Sequence, residues 1–197
     1  MKKIIFATSN EGKMKEIREI LKDMEAELLS LKDAGLDPDI EENGATFEEN
    51  AVIKARQVME LTGEMVLADD SGLEVDYLGK APGVYSARYL GEDTSYDVKN
   101  RYIIDQLAKA SGEERSARFV CVIALAVPGG KVVTRRAVIE GYISTEISGA
   151  NGFGYDPIFY VPEYHCTTAQ ISSEVKNEIS HRGKALRAMK DEIRKYL

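Results

Sequence analysis

Tryptophan is absent from the 197-residue chain, and histidine and cysteine occur only twice each. With His165 and His181 as the only imidazoles, and Cys121 and Cys166 lacking any C-x-x-C spacing, a structural zinc site is not expected. No run approaches the ~18 consecutive apolar residues of a membrane span. The start, Met1-Lys2-Lys3-Ile4-Ile5-Phe6-Ala7-Thr8-Ser9, has too short an apolar core for a signal peptide. These absences predict a soluble, cytoplasmic protein without membrane contact. Positive charge is also in deficit: 26 Lys and Arg against 33 Asp and Glu leave a net charge of −7. That excludes a protein whose business is gripping a nucleic acid polymer by its phosphates, though not one that binds a small anion.

What is present describes one globular domain over residues 1–197. Hydrophobic residues make up 44% of the chain, enough to bury a substantial core and to exclude disorder. Cys121 sits inside the apolar run Phe119 to Leu125, where an inert buried thiol is favoured over a nucleophile or a disulfide. Ile4 to Ala7 reads as a buried strand, and Met14, Ile17, Ile20, Leu21 and Met24 form one face of a following helix. The capping box of Thr46 and Glu49 opens a second helix that stops at Thr62-Gly63. A strand over Met65 to Ala68 is expected to end abruptly at Asp69-Asp70-Ser71-Gly72. A helix is predicted from Ser95 to Lys109 with Val98, Tyr102, Ile103 and Leu107 apolar. Strands from Arg118 to Val127 and Val132 to Tyr142 form a hairpin around Pro128-Gly129-Gly130. A loop over Gly149 to Pro157, a strand from Ile158 to Val161, and a last helix striped by Leu186, Met189, Ile193 and Leu197 complete the pattern. Strand, helix and strand followed by a hairpin imply an α/β or α+β fold with a mixed sheet.

Several segments carry chemistry. Ala7-Thr8-Ser9-Asn10-Glu11-Gly12-Lys13-Met14 approaches a Walker A loop but has Ala7 for its first glycine and Met14 for its hydroxyl residue. A polar loop entering a helix N-terminus beside Lys13 still offers N–H groups and positive charge to a phosphate; a plain Asn10-capped helix start fits this segment equally well. Asp69-Asp70 suits a hard cation or a general base, or else a hydrated turn. Seven acids against Lys32 over residues 31–50 offer Glu41 or Glu42 as a second carboxylate, whereas residues 174–197 carry seven bases against four acids. At the entry to that basic stretch, Ser180-His181-Arg182-Gly183 gathers donors. In Gly152-Phe153-Gly154-Tyr155-Asp156 an aromatic can stack on a nucleobase, or plug the core beneath the loop.

Six segments in order, Ala7 to Lys13, Thr46-Phe47-Glu48-Glu49-Asn50-Ala51 with Lys54-Ala55, Ala68 to Leu73, Pro82 to Tyr89, Gly152 to Phe159 and Ser180 to Ala185, resemble the inosine/xanthosine triphosphate pyrophosphatase family over nearly the whole chain. Ser9 and Gly79-Lys80 depart from the family's commoner glycines. The resemblance implies a two-lobed single α/β domain with a long mixed β-sheet flanked by helices, an active site in the cleft between the lobes, and a homodimer. It implies that Thr8, Ser9, Asn10, Glu11, Gly12 and Lys13 bind substrate, with Asn10 and Lys13 on the triphosphate. Glu41 and Asp70 would hold Mg²⁺, Asp70 would accept a proton, and Ser71 would lie against the substrate. Phe153, Gly154, Tyr155, Asp156, Lys176, His181 and Arg182 would frame the nucleoside. The implied reaction is hydrolysis of ITP, dITP and XTP to the monophosphate and pyrophosphate, with Asp70 and Lys13 as the catalytic pair. A pyrophosphatase for other modified nucleotides and a non-catalytic nucleotide-binding module are the alternatives.

Overall fold

The computed structural model describes residues 2–197. Strand β1 (Lys2–Phe6) leads into helix α1 (Glu11–Ile20) through Asn10, whose side chain accepts from the Lys13 amide. A side-chain oxygen at that point satisfies one of the unpaired N–H groups of the first turn, which is why the helix begins there. Strand β2 (Ala26–Ser30) follows, and α2 (Phe47–Thr62) runs from the Thr46/Glu49 capping box to Gly63, which closes it in the left-handed conformation. Next come β3 (Met65–Val75), α3 (Tyr96–Gln106), β4 (Ser116–Ala126), β5 (Val133–Ile143), β6 (Phe159–Val161), β7 (Cys166–Thr167), α4 (Ser173–Ile179) and α5 (His181–Arg194). The strands form one seven-stranded sheet in the order β2-β1-β3-β4-β5-β6-β7. It is mixed, as expected: β1 pairs parallel with β2 and β3, while β5–β6 and β6–β7 are antiparallel.

The chain divides into two compact units, and β3, β4 and β5 each contribute residues to both. The first unit holds the segment ending at Asp70, Cys121–Ala137 and Arg182–Leu197. Its core packs Ile4 and Phe6, Met65 and Leu67, and Cys121, Ile123 and Leu125 against Met14, Ile17 and Leu21 of α1 and Leu186, Met189 and Ile193 of α5. Side chains alternate across a strand, so within this unit Met65, Leu67 and Asp69 of β3 face this layer, while Val66, Ala68 and Asp70 face the other way. Cys121 lies inside it, its thiol pushed up to about 12 by burial. The second unit, Ser71–Val120 with Val138–His181, has a core of its own around Leu73, Ile103, Leu107, Phe119, Ile143, Tyr155 and Phe159.

Local patterning misjudged several points. β3 does not stop at Asp69 but continues to Val75, so both aspartates sit inside a strand. In α3 the apolar Val98 and Tyr102 are exposed, while Lys99 and Asn100 are buried. Leu197 lies beyond α5 and is exposed. β2 and α4 had no counterpart in the sequence reading; both are short, and β2 gains its order from parallel pairing with β1.

Candidate active site

In the first unit, α1 and α5 pack on the same layer that Met65, Leu67 and Asp69 of β3 face. Lys13, Asp69 and Arg182 therefore meet. Lys13 Nζ donates to Asp69 Oδ1 at 3.0 Å, and Arg182 donates through Nε and Nη2 to Asp69 Oδ2 at 3.4 and 3.2 Å. Arg182 Nη1 donates to Glu16 Oε2 at 2.5 Å, which completes a buried chain from Glu16 to Lys13. Burial alone would raise the Asp69 pKa, but Lys13, Arg182 and Lys54 outweigh it and hold the carboxyl well below the usual carboxylate range.

Asp70 projects to the opposite face, toward α2. Lys54 Nζ donates to Asp70 Oδ1 at 3.1 Å and to Glu42 Oε2 at 2.9 Å. The other carboxylate oxygen, Asp70 Oδ2, is buried without a hydrogen-bond partner among the described residues. Burial pushes the Asp70 carboxyl up to about 6, and the nearby Glu42 carboxylate adds to the rise against the pull of Lys54 and Lys13. Among the described residues no three His, Cys, Asp or Glu side chains form a metal cage. A Mg²⁺ ion needs none, since it is ordinarily held by one or two carboxylates, water and substrate phosphates. The orphaned Oδ2 fits such an ion. Glu41 is exposed on the acidic loop, and it is Glu42 that reaches Lys54 beside Asp70.

Of the other N-terminal candidates, Ser9, Asn10 and Glu11 are exposed, while Thr8 and Gly12 are half-buried. Thr8 Oγ1 accepts from the Asn10 amide at 3.1 Å and Asn10 Oδ1 from the Lys13 amide at 3.0 Å. These bonds fix the loop that presents the α1 N-terminus.

The second unit gathers a different cluster. Asp156 is buried and anchors its loop: Oδ2 accepts from the Phe153 amide at 2.8 Å and from Lys176 Nζ at 2.5 Å, and Oδ1 accepts from Thr168 Oγ1 at 2.8 Å. Lys176 Nζ lies 4.8 Å from the centroid of the half-buried Phe153 ring. Gly152 has φ +71°, and a Cβ there would collide with Asp156 and approach Lys176, so only glycine closes this loop. Tyr155 proves to be a core residue, with its hydroxyl donating to Ser86 O at 2.7 Å and its ring edge-on to Tyr96. His181 stacks on Phe119 with ring centroids 4.8 Å apart, and Ser71 follows Asp70 in β3, half-buried. Gly154 takes φ +66°, and its carbonyl accepts from Asn100 Nδ2 at 3.1 Å.

A model of the Ham1 family matches residues 4–192. The chain belongs to the Ham1 family. It is 49% identical to the dITP/XTP pyrophosphatase of Bacillus licheniformis over 189 residues, 96% of each chain, and 48% identical to that of Clostridium perfringens over 98% of each. Its fold is similar to that of the HAM1 protein from Coxiella burnetii, with a TM-score of 0.89, 42% identity and coverage of 99% of this chain and all of the other. The Staphylococcus aureus Ham1 protein aligns over the full length of both chains with a TM-score of 0.87 and 38% identity.

Three residues that shape this candidate site of the Ham1 chain went unassigned in the sequence reading: Glu16, Lys54 and Asp69 as the partner of Lys13. Two of them leave a local signal. Glu16 occupies the buried face of α1 between Met14 and Ile17, and Lys54 lies among Ala51, Ala55 and Val58 on the buried face of α2. A charged residue on a buried face requires a buried counter-charge, so each announces an ion pair without naming its partner.

Proposed function

We propose that the chain hydrolyses deaminated purine nucleoside triphosphates, ITP, dITP and XTP, to the monophosphate and pyrophosphate, as a Mg²⁺-dependent enzyme. The observation that carries this is the buried Asp70, tied through one oxygen to Lys54 and left open at the other, in a family whose relatives are named dITP/XTP pyrophosphatases. The residues that would hold Mg²⁺ are Asp70, through Oδ2, and the acidic loop, with Glu41 implied by resemblance and Glu42 by its position. When bound, the ion supplies charge to offset that of the phosphates and of the departing pyrophosphate.

The chain's own groups do the rest. The free amides at the α1 N-terminus and Lys13 bind the phosphates, and their charge stabilises pyrophosphate as it leaves when water attacks the α-phosphorus. Asp69 and Arg182 hold Lys13 in place. Asp70 orients the attacking water and takes its proton. Phe153 stacks on the base, while Lys176 and His181 present donors to the carbonyl at position 6. Adenine has an amino group there, and a buried donor left unpaired against it costs ~1–3 kcal/mol. Arg182, engaged by Asp69 and Glu16, frames the nucleoside beside His181, as the family resemblance implies.

We assign the protein to the cytoplasm, where free nucleotides are found, and to a homodimer. In support, no helix among the described residues is long and apolar enough to cross a membrane, and the family resemblance carries the dimer. Light scattering on a gel-filtration column measures the second. The deciding assay presents ITP, dITP, XTP, ATP and GTP with and without Mg²⁺ and follows pyrophosphate against orthophosphate. Mg²⁺-dependent pyrophosphate release from the deaminated substrates is expected. Orthophosphate as the product, equal turnover of ATP, or tight ITP binding with no release would each refute the proposal.

A further inference from the structure

Gly44 does not adopt a positive φ, so backbone freedom does not account for a glycine there. Close approach does. A Cβ on Gly44 would lie 2.6 Å from Asn50 Oδ1, 2.7 Å from Glu49 Cβ and 3.0 Å from Asn50 N. The contact is a hydrogen bond, the Gly44 amide donating to Asn50 Oδ1 at 2.8 Å. Asn50 is fully buried, and its Nδ2 finds no partner among the described residues. A buried, half-satisfied amide costs stability that an apolar residue of the same size would not.

The acidic loop explains what that cost maintains. Residues 36–44 form no helix or strand, so the loop depends on anchors from its surroundings. Asn50 and Lys54 lie one turn apart on the same face of α2. Asn50 holds Gly44, Lys54 holds Glu42, and Glu49 accepts from the Ala45 amide at 2.6 Å. The Asn50 anchor is thus two residues from Glu42 and three from Glu41, and the Lys54 anchor is shared with Asp70.

We propose that Asn50 is a positioning residue for divalent-cation binding: its bond to Gly44 sets where the Glu41-Glu42 carboxylates lie with respect to Asp70. The proposal rests on the Mg²⁺ assignment above. Asn50 touches neither substrate nor metal in this scheme and acts only through the loop.

The test uses Mn²⁺ alone, titrated into metal-free protein without nucleotide, with the free ion followed by electron paramagnetic resonance. Thermal midpoints are recorded on the same samples. Wild type binds and Asp70→Asn does not. Asn50→Leu and Gly44→Ala bind at least about tenfold more weakly, the usual loss when a group that orients a metal ligand is removed. Asn50→Asp, which keeps the acceptor for the Gly44 amide, restores binding. Gly44→Ala displaces the loop without altering the Asn50 side chain, so it carries the comparison if Asn50→Leu does not fold. Wild-type Mn²⁺ affinity in the Leu and Ala variants overturns the proposal, as does an Asp variant as weak as the Leu variant. A wild type that binds no Mn²⁺, or that binds it as well as Asp70→Asn does, instead overturns the metal assignment and this proposal with it.

Discussion

Asp69 and Asp70 are consecutive residues of β3 whose carboxyls are driven in opposite directions. Asp69 faces α1 and α5, where Lys13 and Arg182 keep it ionised; Asp70 faces α2, where burial beside Glu42 raises its affinity for a proton despite Lys54. One anchors the cationic groups while the other stays responsive near neutral pH, and the alternation of a strand is enough to separate the two roles.

Replacing Asp70 by Asn is expected to abolish turnover and yet stabilise the metal-free protein. The folded Asp70 titrates at about 6, above its ordinary 3.8, so folding favours the protonated form. Its unfavourable contribution grows as pH rises from about 4 to 6 and is complete above that, up to about 3 kcal/mol. Asn carries no such penalty. In EDTA, the thermal midpoint of Asp70→Asn exceeds that of wild type at pH 8, and the gain shrinks at pH 5. A variant less stable than wild type at pH 8, or a gain independent of pH, contradicts this.

Asp69→Asn has the opposite effect. The Asp69 carboxyl is ionised throughout the working range, and its favourable contribution is lost only as pH falls below the ordinary carboxylate value. Removing its charge leaves Arg182 and Lys13 without their shared partner, and breaking a buried pair in this way costs ~3–5 kcal/mol. Urea denaturation at pH 7 measures the loss. A change under about 1 kcal/mol would mean that the pair does not stabilise the fold.

Lys54 opposes the rise in Asp70's proton affinity, so neutralising it in Lys54→Met raises that affinity further. The acid limb of kcat/KM against pH should move to higher pH than in wild type. An unmoved limb, or one shifted to lower pH, would separate Asp70 from the rate-determining ionisation.

Phe153 and Tyr155 are separable despite their proximity. Phe153→Ala is expected to raise KM for ITP by roughly 10-fold or more, the value of one stacked base, with little change in thermal midpoint. Tyr155→Phe removes the donor to Ser86 O, which should cost ~1 kcal/mol of stability and leave KM unchanged. An ITP KM that responds to Tyr155→Phe but not to Phe153→Ala would reverse the assignment.

Much of this molecule is written locally. The Asn10 cap, the Thr46/Glu49 box, the apolar stripe of α1 and the run around Cys121 are each set by a few neighbouring residues, and the six motifs in order specify the family. Elements that depend on distant partners were illegible: β2 is a strand because β1 lies beside it, and β3 runs on through Asp69 and Asp70 because their charges are matched elsewhere. The exposed Val98 and the buried Lys99 of α3 likewise reverse a polarity pattern, since the Lys99 ammonium finds the Ala87 carbonyl 12 residues earlier in the chain.

The sequence by itself determined which chemical groups are available: a polar, Asn10-capped helix start with Lys13 beside it, adjacent aspartates, an acidic loop, and late lysine, histidine and arginine residues. Only the tertiary structure decided their employment, pairing Arg182 with Glu16 and Asp69, placing Glu42 rather than Glu41 beside Lys54, and burying Tyr155 in the core. The physical reason is that the strength of a charge or a donor depends on burial and on the partner opposite. Both are properties of residues brought together from across the chain.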